Sequence, residues 1–168
     1  MNQAHLHLLL NHLPILGALF GLLILAGGFL LKNDTVKRTA LGLFVLSAIL
    51  AIPAYLTGEG AEEVVESLPG VTENLIEAHE EMANIFLGLV GALGLFALVT
   101  FYTDFKSKKV APMLYTLTFV AALGTMLFAQ RVGSSGGEIR HTEIRSGATT
   151  AGLENPANGG AAENADDD

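Results

Sequence analysis

Four long apolar runs alternate with short polar stretches along this chain, and none of the runs carries a charged side chain. They cover Leu13 to Leu31, Thr39 to Thr57, Met82 to Thr103 and Val110 to Gln130, which are 19, 19, 22 and 21 residues long. At about 1.5 Å per residue each would reach roughly 30 Å as a helix, the thickness of bilayer hydrocarbon. Backbone groups in hydrocarbon must be paired within their own segment, so the runs predict helices. With their flanks, the expected spans lie at about 8–31, 39–57, 73–103 and 110–131 of a membrane domain covering 1–145. Connections of about seven residues make successive spans antiparallel neighbours. The expected fold is all-α, a four-helix transmembrane bundle with up-down topology.

The 58–81 connection is the long one. It holds an amphipathic stretch, AEEVVESL, then the turn pair Pro69-Gly70, then Thr72 as the N-cap of an extended third helix whose first residue, Glu73, suits its positive end. Pro53 predicts a kink in the second span, because it leaves the Ile49 carbonyl without its donor. Gly17 and Gly21 form a small-xxx-small pair in the first span, and Gly88, Gly91 and Gly94 recur in the third. Close approach of helices inside one bundle is the reading they carry. From Ser146 onward the chain has five acids, no bases and little to bury, which predicts a disordered acidic tail over 146–168.

Composition narrows the class. Of 168 residues, 51% are apolar and only 15% charged, with a mean hydropathy of +0.48, outside the range of an ordinary water-soluble enzyme. There is no cysteine, which excludes disulfide scaffolds, Cys-ligated zinc or iron–sulfur sites and covalently attached haem c for this chain. A net charge of −8 argues against nucleic acid as a partner. Met1 to Leu31 contains no base, which argues against reading the first span as a cleaved signal peptide.

The charges also orient the spans. Lys32, Lys37 and Arg38 join the first two, and Lys106, Lys108 and Lys109 join the last two, so six of nine bases lie on one side, expected to be cytoplasmic. The opposite side receives both termini, the 58–81 connection and 15 of the 17 acids. The expected location is the inner (plasma) membrane, with N- and C-termini outside.

All five histidines, His5, His7, His12, His79 and His141, fall on that outer side, among Glu59, Glu62, Glu63, Glu66, Glu77, Glu80, Glu81 and Glu138. His5 and His12 are seven apart and share a helix face, with His7 turned from them by somewhat under half a turn. The outer ends of spans one and three meet in an antiparallel bundle, so His7 or His12 could face His79 across haem b, with Arg131 pairing a propionate. A rival metal reading uses His12, His79, Glu59, Glu138 and His141, with Glu138-x-x-His141 as an i, i+3 ligand pair. Against it, Gly133 to Gly137 makes a helix through that stretch doubtful. The plainer reading leaves the histidines as interfacial polar groups bonded to loop carboxylates and helix ends. No Ser/His/Asp set or phosphate loop accompanies them, so no bond chemistry is expected of the chain itself.

The stretch HLLLNHLPI, His7 to Ile15, followed by Thr57-Gly58 at the end of span two, His79 at the start of span three and Gly136-Gly137-Glu138 after span four, resembles an uncharacterised family of small four-helix predicted membrane proteins. Members of that family also occur fused to Rieske-type iron–sulfur domains. The resemblance covers roughly residues 5 to 141 and implies motif roles for His7, His12, His79 and Glu138, with His141 three residues further on. Its association with redox domains favours haem or metal over a bare packing role. The leading expectation is an electron-transfer subunit or partner of a membrane redox complex. The alternatives are a cofactor-free structural or assembly subunit and a non-haem divalent-metal site on the outer face.

Overall fold

The computed structural model describes residues 2–145 and is all-helical over them, without a strand among those residues. Helices α1 (Gln3–Leu10) and α2 (His12–Leu30) form the first hairpin arm, and α3 (Asp34–Leu56) returns beside it. The short α4 (Gly58–Val65) leads to the long α5 (Glu73–Lys106) and then to α6 (Ala111–Arg140). Four helical stretches, Gln3–Leu30, Asp34–Val65, Glu73–Lys106 and Ala111–Arg140, are long and apolar enough to cross a membrane. The protein is therefore an all-α four-helix bundle of membrane type. The expected acidic tail, 146–168, lies outside the described residues.

The first arm and α3 begin well before the apolar runs that announced them, at turns capped by asparagine side chains. The Asn2 side chain accepts from the His5 N–H at 2.9 Å and starts α1 at Gln3. Asn33 does the same for Val36 at 3.2 Å, and Asp34 in the first turn of α3 suits the positive helix end. The first arm breaks at Asn11, three residues before Pro14, which lacks the N–H that would bond the Leu10 carbonyl. Thr72 takes the extended backbone of an N-cap without a side-chain bond, after a turn in which Gly70 adopts a positive φ of 79°.

Helix α2 packs on α3, α3 on α5, α5 on α6, and α6 back on α2, closing a ring of four. Small side chains fill its middle: Ala18, Ala40, Ala97 and Ala122 are fully buried around Phe44, Leu25 and Tyr115. Gly17 faces Ser47 and Gly21 faces the Phe44 ring, so the small pair in the first span serves the α2–α3 contact. In α5 only Gly94 serves this purpose, against Ala48 and the Phe44 carbonyl, whereas Gly88 and Gly91 face open space. Large apolar side chains such as Leu30, Leu95 and Leu127, each more than half exposed, point outward, as a lipid-facing surface requires.

The end of the bundle that carries the basic loops is closed by Asp104, only 2% exposed. Its two oxygens accept from Arg38 Nε at 2.6 Å and Lys108 Nζ at 2.9 Å, tying the first loop to α5. Lys37 lies over the Tyr115 ring at 5.0 Å and pairs with Asp34 at 2.7 Å. The basic loops thus hold the bundle together as well as carrying charge.

A side chain at Gly94 would put its Cβ 2.5 Å from the Ala48 methyl, and both lie on helix backbones that cannot yield separately. Gly94→Leu should therefore cost about 1–3 kcal/mol, read as a lower thermal midpoint in detergent. Gly91→Ala, which meets nothing within 4 Å, should not lower it.

Candidate functional site

The end of the bundle opposite the basic loops gathers His7, on α1, and His79, near the start of α5. His7 is half-buried, and its Nδ1 lies 2.9 Å from the Ala54 carbonyl and 3.2 Å from Thr57 Oγ1. The single hydroxyl hydrogen of Thr57 goes to its own helix, with the Pro53 and Ala54 carbonyls at 3.0 and 2.9 Å. Both partners can then only accept, so Nδ1 carries the proton and donates it. Nε2 is left with an unshared pair.

His79 repeats this arrangement on the other hairpin. Its Nδ1 lies 3.1 Å from Ser135 Oγ, and Ser135 donates its own hydrogen to the Val132 carbonyl at 3.1 Å. With the Ser135 hydrogen engaged by the Val132 carbonyl, the ring donates from Nδ1 and Nε2 is left free. An Nδ1–H fixed by a backbone carbonyl is the arrangement by which proteins orient imidazoles that ligate metals through Nε2.

Gly136 lets the His79 ring approach closely, since a Cβ there would lie 2.9 Å from His79 Cε1, whereas one on Gly58 would lie at ordinary contact distance, 3.9 Å, from His7 Cε1. The sequence-based doubt about a helix through Gly133–Gly137 is corrected here, since α6 runs unbroken to Arg140. Two interactions offset the helix-weakening glycines. His79 packs against them, and the Arg145 guanidinium donates to the terminal carbonyls of Glu138 and Ile139 at 2.7 and 3.0 Å.

The remaining candidates are dispersed. His12 is exposed, and its Nδ1 comes no nearer than 3.4 Å to the Leu8 carbonyl of its own helix, so His7 is the first-span histidine opposite His79. Helix α6 ends one residue before His141, whose extended backbone breaks the expected i, i+3 pairing with Glu138; its ring bonds Glu143 at 2.8 Å instead. Glu59 is exposed on α4. Arg131 lines an open groove of about 620 Å³ with Met82, Ser134, Ser135 and Glu138, separated from His79 by Ser135. Among the described residues no three His, Asp or Glu side chains converge as a metal-binding group. The five-residue metal set expected from the sequence is not assembled there.

Three further residues belong to the site. Thr57 and Ser135 hold the rings, and Asn11 places a buried Oδ1 without a hydrogen-bond partner one turn below His7 on the same helix face. Only Asn11 left a usable trace in the sequence, its i+4 spacing from His7. His7 and His79, one from each hairpin, thus lie at the same end of a bundle whose four long apolar helices suit a membrane, with the orphaned Asn11 acceptor on the His7 side. No protein-family model matches the chain, and neither a curated protein nor a solved structure is significantly similar to it.

In ¹⁵N-histidine-labelled protein in micelles, His7 and His79 should both show a protonated Nδ1 and an unprotonated, pyridine-like Nε2 at neutral pH. Imidazole ¹⁵N shifts reporting the opposite tautomer at either ring would contradict the bonding described.

Proposed function

We propose that the protein binds haem b between His7 and His79 and serves as an electron-transfer subunit or partner of a membrane redox complex. The observation that carries this reading is the pair of imidazoles on separate hairpins, each with Nδ1–H bonded to its scaffold and Nε2 available. Neutral imidazole from two helices is the donor set of six-coordinate haem in bundles, and bound haem supplies reversible one-electron chemistry. His7 and His79 would hold the group, and the helix-bound hydroxyls of Thr57 and Ser135 would keep their rings from turning. Asn11 offers an acceptor on the His7 face. Arg131, on the groove behind Ser135, is the nearby base for a propionate. Under the positive-inside rule this end of the bundle faces outward from the cytoplasm, in the inner membrane with both termini outside.

A second reading has its own support. Both Nδ1 atoms are already satisfied by the protein, and eight glutamates from Glu59 to Glu81 surround this end. A cofactor-free assembly subunit that recruits a basic partner fits those two features, and its association would weaken with salt.

Oxidised and dithionite-reduced spectra of detergent-purified protein separate the two. Haem b gives a Soret band with sharpened α and β bands on reduction. His7→Ala and His79→Ala should each abolish the six-coordinate spectrum, while His12→Ala and His141→Ala should leave it intact. Colourless wild-type protein, expressed with haem supplied, would remove the haem reading in favour of the assembly role.

A further inference from the structure

The likeness between the two histidines extends through both hairpins. His7 and His79 are 72 residues apart. The same displacement carries the buried positions of α2, which are Pro14, Ala18, Gly21, Leu22, Leu25 and Gly28, onto Phe86, Val90, Leu93, Gly94, Ala97 and Thr100, all buried in α5. The returning helices agree with a displacement of 78. Thr57 maps onto Ser135, the hydroxyl that meets each ring, and Gly58 onto Gly136, the glycine nearest each; Ala54, whose carbonyl meets the His7 ring, maps onto Val132, whose carbonyl meets the Ser135 hydroxyl.

Deeper in the bundle, buried Ala40, Phe44, Ser47 and Ala51 map onto buried Thr118, Ala122, Thr125 and Ala129. Ser47 donates to the Leu43 carbonyl at 2.8 Å, and Thr125 donates to Ala121 at 2.9 Å, again 78 residues on. A helix repeats its faces every three to four residues, so burial alone would tolerate neighbouring displacements. The histidine, hydroxyl and glycine select these two. The change from 72 to 78 falls at the basic-loop end, where α5 runs on to Lys106 before the turn.

Packing obeys the same relation. Exchanging α2 with α5 and α3 with α6 converts the α2–α3 contact into α5–α6 and the α3–α5 contact into α6–α2, and all four contacts exist. Both hairpins start and finish at the histidine end, so the relation is a two-fold along the bundle, as in parallel repeats of membrane transporters.

We propose that the protein is built from two copies of one histidine-presenting hairpin, and that Thr57 and Ser135 are equivalent positioning residues, each locking its imidazole as the Nδ1–H tautomer so that one Nε2 from each copy serves a shared ligand. The shared-ligand part rests on the haem reading above; the equivalence of the two hydroxyls does not. Helix-terminal hydroxyls are common, but Thr57 faces a ring nitrogen that the Ala54 carbonyl already obliges to donate, and Ser135, with its hydrogen on the Val132 carbonyl, accepts from the His79 ring in the same way. Thr57→Val and Ser135→Ala remove that acceptor with little change of shape, whereas Thr57→Ser and Ser135→Thr keep it.

The test uses full-length protein in detergent and has two readouts. In ¹⁵N-histidine spectra without added haem, Thr57→Val should shift the ring signals of His7 and Ser135→Ala those of His79, with both conservative variants restoring the wild-type positions. In haem-loaded protein, Thr57→Val and Ser135→Ala should move the midpoint potential in the same direction. Ring signals unmoved by hydroxyl removal, or moved equally by the conservative variants, would overturn the positioning role. A potential that moves in one variant only, or in opposite directions, would overturn the equivalence. Wild-type protein that takes up no haem would strike the shared haem ligand alone, leaving the tautomer measurement to decide the rest.

Discussion

A bundle bathed in hydrocarbon gains little by burying one apolar side chain against another, since lipid tails are as apolar as leucine. It is held instead by close backbone approach and by polar groups that find no water to bond. Both constraints are visible throughout this molecule. Glycine and alanine line the α2–α3 and α3–α5 contacts, with Gly17, Gly21 and Gly94 placed where a Cβ would meet a neighbour. Buried hydroxyls find partners in their own helices: Ser47 and Thr125 donate to the carbonyl four residues back. Thr100 and Thr118 meet across the α5–α6 contact at 2.8 Å, where one hydroxyl donates to the other and the other to its own helix.

The histidine end applies the same constraint to a different purpose. A hydroxyl saturated by its own helix has only lone pairs to offer, and a ring nitrogen placed against it must donate. Thr57 and Ser135 thereby convert a helix-stabilising habit into control of a tautomer. Each imidazole is half-buried and fixed at one nitrogen while the other stays open, which is the configuration a ligating histidine needs. At the opposite end, the buried Asp104 carboxylate is clamped by Arg38 and Lys108. One end is closed by the ion pairs about Asp104, with the Tyr115 hydroxyl buried beside them without a partner, and the other holds the two histidines with the Asn11 carbonyl oxygen unengaged.

Duplication accounts for how such a site arises in so small a chain. One hairpin can present one imidazole, and a two-fold relation supplies the second at an equivalent height without any new structural device. The copies have since diverged. The first arm is broken by Pro14, whereas α5 is continuous, and Asn11 maps by the same displacement onto Ala83. The orphaned acceptor is therefore peculiar to the His7 side.

The sequence by itself determined the class of this protein. Four uncharged runs of lipid length admit no other regular structure in hydrocarbon, so the number of spans, their helical nature and their up-down order follow from backbone hydrogen bonding. Gly17 and Gly21 were legible as packing residues, and His7 and His79 as residues at one end of the bundle. What only the tertiary structure decided was selection among like residues. Five histidines look alike in a string, but just one in each hairpin meets a hydroxyl of the neighbouring helix, because that meeting depends on how α1 lies on α3 and how α5 lies on α6. The same holds for the glycine-rich end of α6, helical because His79 and Arg145 bond and pack there from elsewhere in the chain, and for Asp104, an unremarked loop-side acid until folding brings Arg38 to it. Local pattern fixes which segments become helices; which of their polar groups find partners depends on contacts between segments far apart in sequence.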